Sequence, residues 1–206
     1  MTLRKQRRRA ALAATLVTAA ICTQGWETVR AADAAPVTHY TLDPGKSALE
    51  YQFVQAGAQN KGKFTKFTAT LELSADNPAA SKLDVVVEMA SADTGDKERD
   101  DTLKSADLFS VAKFPQAHFT ATQITKTANG YDAAGKLTLR GVTRDLHVPF
   151  SFKTSDEQGK PVGYLLGKVT LKRLDFGVGQ GDWKSTEWVG NDVSVAYSLR
   201  FVASGH

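Results

Sequence analysis

The chain has 206 residues, of which 42% are hydrophobic and 23% charged, and this is the size and composition of one globular domain. These values exclude a disordered chain and a protein with several membrane spans, and the single cysteine excludes a disulfide framework. The formal net charge of +4 would favour a nucleic-acid partner only if the cations were spread over the folded domain.

The cations are instead concentrated at the N-terminus, in a segment typical of a secretory signal peptide. A cluster of Arg and Lys precedes an apolar run from Ala10 to Cys22, which is too short to span a bilayer. Cleavage is predicted near Ala31 or Ala34, so that residues 1–34 are the signal peptide and residues 35–206 the mature domain. Residues 1–34 hold six cations and two anions, and their removal lowers the net charge from +4 to 0. We therefore predict an exported protein with no nucleic-acid partner.

The only cysteine, Cys22, lies in this predicted leader. A lipid anchor on it is disfavoured, because the preceding Ile21 is larger than lipoprotein processing usually accepts. After cleavage the mature domain holds no cysteine, which excludes thiol catalysis and cysteine metal ligands. The consecutive arginines leave both the general and the twin-arginine export routes open.

From Tyr40 to Met89, apolar and polar residues alternate with the period of two that is typical of half-buried strands. The alternating apolar residues are Leu49, Tyr51 and Phe53, then Phe67, Ala69, Leu71 and Leu73, then Leu83, Val85, Val87 and Met89. Turn residues separate these runs, as at Asp43-Pro44-Gly45 and Asp76-Asn77-Pro78. Short connections of this kind imply antiparallel pairing.

The segment from Asp96 to Phe109 departs from this alternation. It contains helix-forming residues and a capping aspartate at its start, so a short helical insertion is predicted there. The Phe114-Pro115 step ends any helix, since the residue before a proline is pushed towards extended geometry. A helix beside the opening of a barrel can act as a lid or a plug.

Alternation resumes after this insertion and continues almost to the C-terminus. The apolar residues are Leu137 and Leu139, then Leu146, Val148, Phe150 and Phe152, then Leu165, Val169 and Leu171, and finally Val193, Val195, Tyr197, Leu199 and Phe201. We predict an all-β fold, an antiparallel barrel of about eight strands with one short helical insertion. A barrel is favoured over a sandwich because closure removes exposed strand edges.

Motifs for catalysis or metal binding are weak. The triplet Asp93-Thr94-Gly95 matches aspartic proteases, but that mechanism needs two carboxylates and the chain has one copy, so a turn before a helix is the favoured interpretation. The glycines at residues 177–181 are followed by more strand, which favours a loop over a nucleotide cradle. The histidines His39, His118, His147 and His206 lack the spacing of a metal pair. The sequence therefore predicts no catalytic residue, no metal and no cofactor.

Several longer motifs cover residues 40–202. The most specific are Gly135-Lys136-Leu137-Thr138-Leu139-Arg140-Gly141-Val142-Thr143 and Arg173-Leu174-Asp175-Phe176-Gly177-Val178-Gly179, accompanied by Tyr40-Thr41-Leu42-Asp43, Gly62-Lys63-Phe64 and Leu103-Lys104-Ser105-Ala106-Asp107-Leu108-Phe109. Together they resemble the YceI-like family of bacterial periplasmic, lipocalin-like, polyisoprenoid-binding proteins. Many relatives carry a histidine after the Arg99-Asp100 pair, whereas this chain has Asp101-Thr102, which puts any role of that histidine in doubt.

The resemblance implies a periplasmic, lipocalin-like barrel around an elongated apolar cavity that holds an isoprenoid-like or other amphiphilic lipid. Such a cavity stabilises an apolar chain by burial, at roughly 25 cal/mol per Å², and needs no catalytic residue. The predicted ligand contacts are aromatic: Phe53, Phe67, Phe119, Phe150, Phe176, Trp183 and Trp188. Arg99 and Lys104 are candidates for contact with a polar head group.

Two other interpretations stay open. An enzyme acting on a lipid or small molecule in the cavity would need an acid or base there. Its candidates are Asp100, Asp175, Tyr164 and His118. A barrel with a filled interior would instead bind a protein partner of the cell envelope through an exposed apolar patch. A transient membrane contact and a homodimer also stay open.

Overall fold

Eleven antiparallel β-strands and one α-helix form residues 36–204, which are the part of the chain that this computed structural model describes. The strands are β1 (Thr38–Leu42), β2 (Ala48–Gln55), β3 (Ala58–Phe64), β4 (Phe67–Leu73), β5 (Lys82–Glu88), β6 (Ala92–Asp93), β7 (Gln116–Thr127), β8 (Gly130–Leu139), β9 (Val142–Glu157), β10 (Lys160–Lys172) and β11 (Asp192–Ala203), and the helix is α1 (Lys97–Lys104). The predicted signal peptide and its cleavage sites lie outside the described residues.

Eight of these strands close into a barrel, in the order β1, β4, β5, β7, β8, β9, β10, β11 and back to β1. The closing pair sets Tyr40 opposite Ala203 and Leu42 opposite Phe201. The prediction of an antiparallel barrel of about eight strands is thereby confirmed. Closure pairs both edges of the eight-stranded barrel wall, which an open sandwich would leave partly exposed.

The barrel wall divides along β11. The C-terminal end of β11 pairs with β1, whereas residues 194–198 pair with β2. From β2 the sheet continues through β3 to the two-residue strand β6, where Phe64 lies opposite Ala92. This three-stranded branch carries the sheet to α1, which follows β6 directly in the chain.

Inward-facing residues of the strands form one large core. Along β2, exposed and buried residues alternate from Ala48 to Val54, as the period of two predicted. Leu71, Ile124, Leu165 and Phe201 are 0–1% exposed. Each such buried side chain contributes about 1.5–3 kcal/mol relative to an exposed one.

Three hairpins have two-residue turns whose residues both adopt positive φ: the β2–β3, β8–β9 and β9–β10 connections. In the β8–β9 turn, Arg140 has φ 50° and Gly141 φ 74°, a geometry that matches the twist of the flanking strands. The Arg140 guanidinium donates to the carbonyls of Leu108 and Ala106 at 2.8 and 2.7 Å. This turn therefore holds the segment that follows α1.

Helix α1 is shorter than the insertion predicted for residues 96–109. The Asp96 side chain caps it by accepting a hydrogen bond from the Arg99 backbone N–H at 3.0 Å, and the helix ends at Lys104 because Ser105 is extended. Leu108 and Phe109 are buried, but turns deliver them to the core. No helix within residues 36–204 combines the length and the apolar character required to cross a bilayer.

Candidate functional site

An apolar cavity of about 570 Å³ lies inside the barrel, at the end that carries α1. Its volume is within the range of small-molecule sites, roughly 300–1,000 Å³. The cross-strand neighbours Val85, Phe119 and Leu137 form part of its wall. The other aliphatic lining residues include Leu49, Leu83, Val87, Leu139, Leu146, Val148, Leu165, Val169, Leu171, Val193, Val195 and Leu199. The interior at this end is therefore open rather than filled by side chains.

The opposite part of the interior is packed with aromatic rings. Tyr131 stacks on Phe150 and Tyr40 meets Phe152 edge-on, with ring centroids 5.3 Å apart in each pair. None of these four residues lines the cavity. The barrel is thus filled at one end and hollow at the other. Inward-facing side chains of the same strands pack together at one end and line the cavity at the other.

Four of the seven predicted aromatic contacts line the cavity. Phe53 and Phe119 lie on β2 and β7, and Phe176 and Trp183 lie in the loop between β10 and β11. Phe53, Phe119 and Phe176 are buried and Trp183 is half-buried. They offer a ligand mainly apolar ring surface.

The other three predicted contacts do not line it. Phe67 is half-buried and packs against the core at the start of β4, Phe150 is buried in the filled end, and Trp188 is 67% exposed. Phe67, Phe150 and Trp188 therefore lie away from the cavity wall, although they were predicted as ligand contacts. Alternation specifies the direction of a side chain but not its height along the barrel, and Phe119 and Phe150 differ in height.

The polar side chains of the lining other than Arg173, Tyr51 and Tyr197 occur where α1 meets the barrel. Arg99, Thr102 and Leu103 occupy one face of the helix and line the cavity. The other polar lining residues there are Gln55, Asp96 and Glu98. Arg99 is half-buried and forms no ion pair in the described part of the chain, whereas Lys104, the second predicted head-group residue, does not line the cavity. Asp96 and Glu98 line the cavity and are also exposed, so the cavity opens beside α1, and this opening is the polar end of an otherwise apolar site.

Arg173 lines the cavity at the start of the β10–β11 loop and is only 5% exposed. Its guanidinium donates five hydrogen bonds to backbone carbonyls of that loop. The acceptors are Gly190 at 3.0 Å from Nε, Val178 at 3.0 Å and Trp183 at 2.6 Å from Nη1, and Ser185 at 3.0 Å and Val189 at 2.8 Å from Nη2. Burial lowers the pKa of Arg173, and no acidic side chain within residues 36–204 pairs with it.

The role of Arg173 was not predicted from the sequence. The loop contains only two short 3-10 helices, Arg173–Phe176 and Gly181–Lys184, and five N–H groups in a planar fork can satisfy carbonyls that these helices leave unpaired. The loop so held carries the lining residues Phe176, Val178, Trp183 and Val189. The available signal was a charged residue two positions after Leu171, where the inward alternation of β10 expects an apolar one.

The Tyr51 side chain also lines the cavity and is 4% exposed, with its ring packed over Gly62 on β3. Its hydroxyl is enclosed and has no hydrogen-bond partner among the described residues. Burial raises the pKa of Tyr51 far above its usual range, and the negative charges of Asp100 and Asp93 add to this. The hydroxyl is therefore neutral at physiological pH.

None of the four acid or base candidates for an enzyme lines the cavity. The Asp100 carboxylate accepts hydrogen bonds from the backbone N–H and the hydroxyl of Thr94, at 2.8 and 2.7 Å, in the turn before α1. His118 pairs with Asp84 at 2.6 Å on the outer surface. Tyr164 donates to Glu157, and Asp175 lies in the β10–β11 loop. Within residues 36–204, no three His, Cys, Asp or Glu side chains gather into a metal-binding group.

Comparison with known proteins places these features in one family. A sequence model described as the YceI-like domain matches residues 40–201. The UPF0312 protein YE1254 of Yersinia enterocolitica is 40% identical over 154 residues, which cover 71% of this chain and 79% of that protein. Protein YceI of Salmonella arizonae is 38% identical over 121 residues, and the match spans 62% of its length.

Solved structures share the barrel. BcnA of Burkholderia cenocepacia is 29% identical, with a TM-score of 0.71 and coverage of 77% of this chain and 98% of that one. A polyisoprenoid binding domain from Saccharophagus degradans, implicated in plant cell wall breakdown, is 18% identical, with a TM-score of 0.57 and coverage of 80% and 98%. At that identity the second likeness concerns the fold alone.

Proposed function

Because the chain belongs to the YceI-like family, we propose that it is a carrier that binds an isoprenoid-like or other amphiphilic lipid in its barrel cavity. The observation that carries this proposal is the lining: aromatic and aliphatic side chains cover the wall, and its polar side chains other than Arg173, Tyr51 and Tyr197 gather at the α1 opening. An amphiphile has the same division between an apolar chain and a polar end.

Burial of the ligand's apolar chain supplies the binding affinity. Each buried CH₂ group contributes about 0.8 kcal/mol, so roughly ten such groups give about 8 kcal/mol before the cost of immobilising the ligand. No directional bond is needed along the wall, which suits a site built from Val, Leu and Phe. The description of the Saccharophagus domain as polyisoprenoid binding supports an isoprenoid-like chain as the first class to test.

We place this activity in the periplasm. The support is the N-terminal sequence, with its cation cluster, its apolar run from Ala10 to Cys22 and its small residues near Ala31 and Ala34. An exported protein that shields an apolar chain from water could move it through an aqueous compartment. Fractionation of cells that express the full chain tests this placement, and recovery in the cytoplasm without cleavage would refute it.

Native mass spectrometry of the purified mature protein, followed by organic extraction, tests the binding. We expect one amphiphilic molecule per chain. A matched pair of variants then locates it: Val169→Trp fills the cavity, whereas Thr170→Trp places the same ring on the exposed face of β10. Loss of the lipid from the first variant alone supports the proposal. A wild-type protein that is empty and ignores added isoprenoids refutes it.

A further inference from the structure

Two of the three exposed large hydrophobic side chains within residues 36–204 lie next to each other. Trp188 is 67% and Val54 39% exposed, and the third, Leu166, is 43% exposed on β10. Backbone hydrogen bonds join the strand end that holds Val54 to the loop that holds Trp188. The Ala56 N–H donates to the Trp188 carbonyl at 2.7 Å, and the Gly190 N–H donates to the Val54 carbonyl at 2.9 Å. A tryptophan and a valine exposed side by side form an apolar patch, and contiguous patches of this kind mark contact surfaces.

The hairpin segment of this surface is uncharged, whereas the exposed Glu187 directly precedes Trp188 in the loop. Residues 54–60, which form the tip of the β2–β3 hairpin, read Val-Gln-Ala-Gly-Ala-Gln-Asn. We call these residues together with Trp188 the tip patch. Exposed Lys61 and Lys184 flank it in sequence, whereas Lys63 at the other end of β3 pairs with Asp93 at 3.7 Å. A protrusion with an exposed tryptophan, an uncharged hairpin tip and neighbouring lysines is typical of surfaces that rest on a lipid headgroup layer.

The tip patch adjoins the cavity opening. Gln55 forms an isolated β-bridge with Val189, and both residues line the cavity. Arg173 holds the same loop through the carbonyls of Ser185 and Val189. Trp188, which lies between these two carbonyls in the chain, is therefore presented on a fixed loop at the opening.

We propose that the tip patch docks on the surface of a phospholipid bilayer, so that the cavity opening faces the membrane from which the lipid enters. This inference rests on the proposed carrier function, because a lipid cargo dissolves in a bilayer and not in water. The Trp188 ring enters the headgroup–acyl boundary, and Lys61 and Lys184 meet phosphate groups. Asp96 and Glu98 at the opening favour a zwitterionic surface over a strongly anionic one.

The test compares the mature wild type with Trp188→Ala and, as a matched control, Leu166→Ala, which removes an exposed apolar side chain elsewhere on the barrel. Flotation with phosphatidylcholine vesicles measures attachment, and we expect Trp188→Ala to weaken it roughly tenfold. The anthraniloyl ester of geranylgeraniol serves as a fluorescent probe of loading. Its transfer from vesicles should slow by a similar factor in Trp188→Ala, while its Kd when added from solution stays within about twofold of wild type.

Each outcome has one meaning. Equal vesicle attachment and loading for wild type and Trp188→Ala overturns the docking inference but leaves the carrier function intact. A change of oligomeric state in Trp188→Ala, measured by analytical ultracentrifugation, overturns it in favour of a protein contact at the tip patch. A wild type that takes up the probe from neither vesicles nor solution refutes the carrier function itself.

Discussion

Replacement of Arg173 by Met should detach the β10–β11 loop from the barrel. Met keeps an unbranched apolar stem but donates none of the five hydrogen bonds that the guanidinium makes to loop carbonyls. The bonds to Val178 and Val189 are buried, and the other three are partly buried. Carbonyls near the surface regain water when the loop moves, whereas the two buried ones do not.

The expected decrease in the free energy of unfolding follows from the two buried hydrogen bonds, to Val178 and Val189. A hydrogen bond to a charged donor contributes about 1.5–3 kcal/mol, so loss of the pair costs about 3–6 kcal/mol. Loss of the arginine also removes the cost of burying its charge, which places the expected decrease in the free energy of unfolding near 3 kcal/mol. Arg173→Lys should lie between wild type and Arg173→Met, because an ammonium group offers three donors in place of five.

Urea unfolding followed by circular dichroism measures this decrease, and limited proteolysis reports the loop directly. We expect early cleavage within residues 177–190 and loss of the bound lipid, because the loop supplies Phe176, Val178 and Trp183 to the cavity wall. An Arg173→Met protein within about 0.5 kcal/mol of wild type, with an intact loop and normal lipid content, would show that the five bonds do not hold the loop.

Three further perturbations test other parts of the structure. Tyr51→Phe removes a buried hydroxyl that has no partner in the described residues, so it should raise the free energy of unfolding by about 1 kcal/mol; a loss of stability in urea would show that the hydroxyl is satisfied in solution. The hydrogen bond from Arg200 lowers the pKa of Glu157, so its stabilising effect is present above the usual glutamate pKa and is lost as the pH falls through the lowered value. The Tm should therefore fall less steeply with decreasing pH in Glu157→Gln than in wild type, and an equal fall in the two proteins would contradict this. Phe150→Ala should lower the free energy of unfolding by about 3–5 kcal/mol, because it leaves space beside Tyr131 in the filled end of the barrel. The folded variant should keep its lipid. Loss of lipid without loss of stability would instead place the ligand at Phe150.

Two local features of the sequence were sufficient to predict the barrel. The period of two from Leu49 to Phe201 assigns one apolar face to each strand, and the short turns between strands impose antiparallel neighbours. The helical insertion was also predictable, because Asp96 is a cap that acts within one turn of the chain. The end of the helix at Lys104 was less predictable. Leu108 and Phe109 extend the apolar pattern of a helix, but turns can bring the same two side chains to the core.

Which side chains line the cavity depends on how the barrel closes in three dimensions. Phe119 and Phe150 have the same inward direction, but one lines the cavity and the other packs on Tyr131, because their heights along the barrel differ. Trp188 lies outside because the β10–β11 loop pairs with the end of β2, a contact between residues more than a hundred positions apart in the chain. The role of Arg173 likewise depends on five carbonyls that only the folded loop brings to one point.

By itself, the sequence determined strand direction, inward register, antiparallel pairing and the position of the helix, since each of these depends on neighbours within a few residues. The tertiary structure alone decided which inward side chains meet and which face empty space, where the opening lies, and which tryptophan faces the solvent. These properties depend on how strands distant in sequence are staggered around a closed barrel, and the period of a single strand carries no information about that stagger.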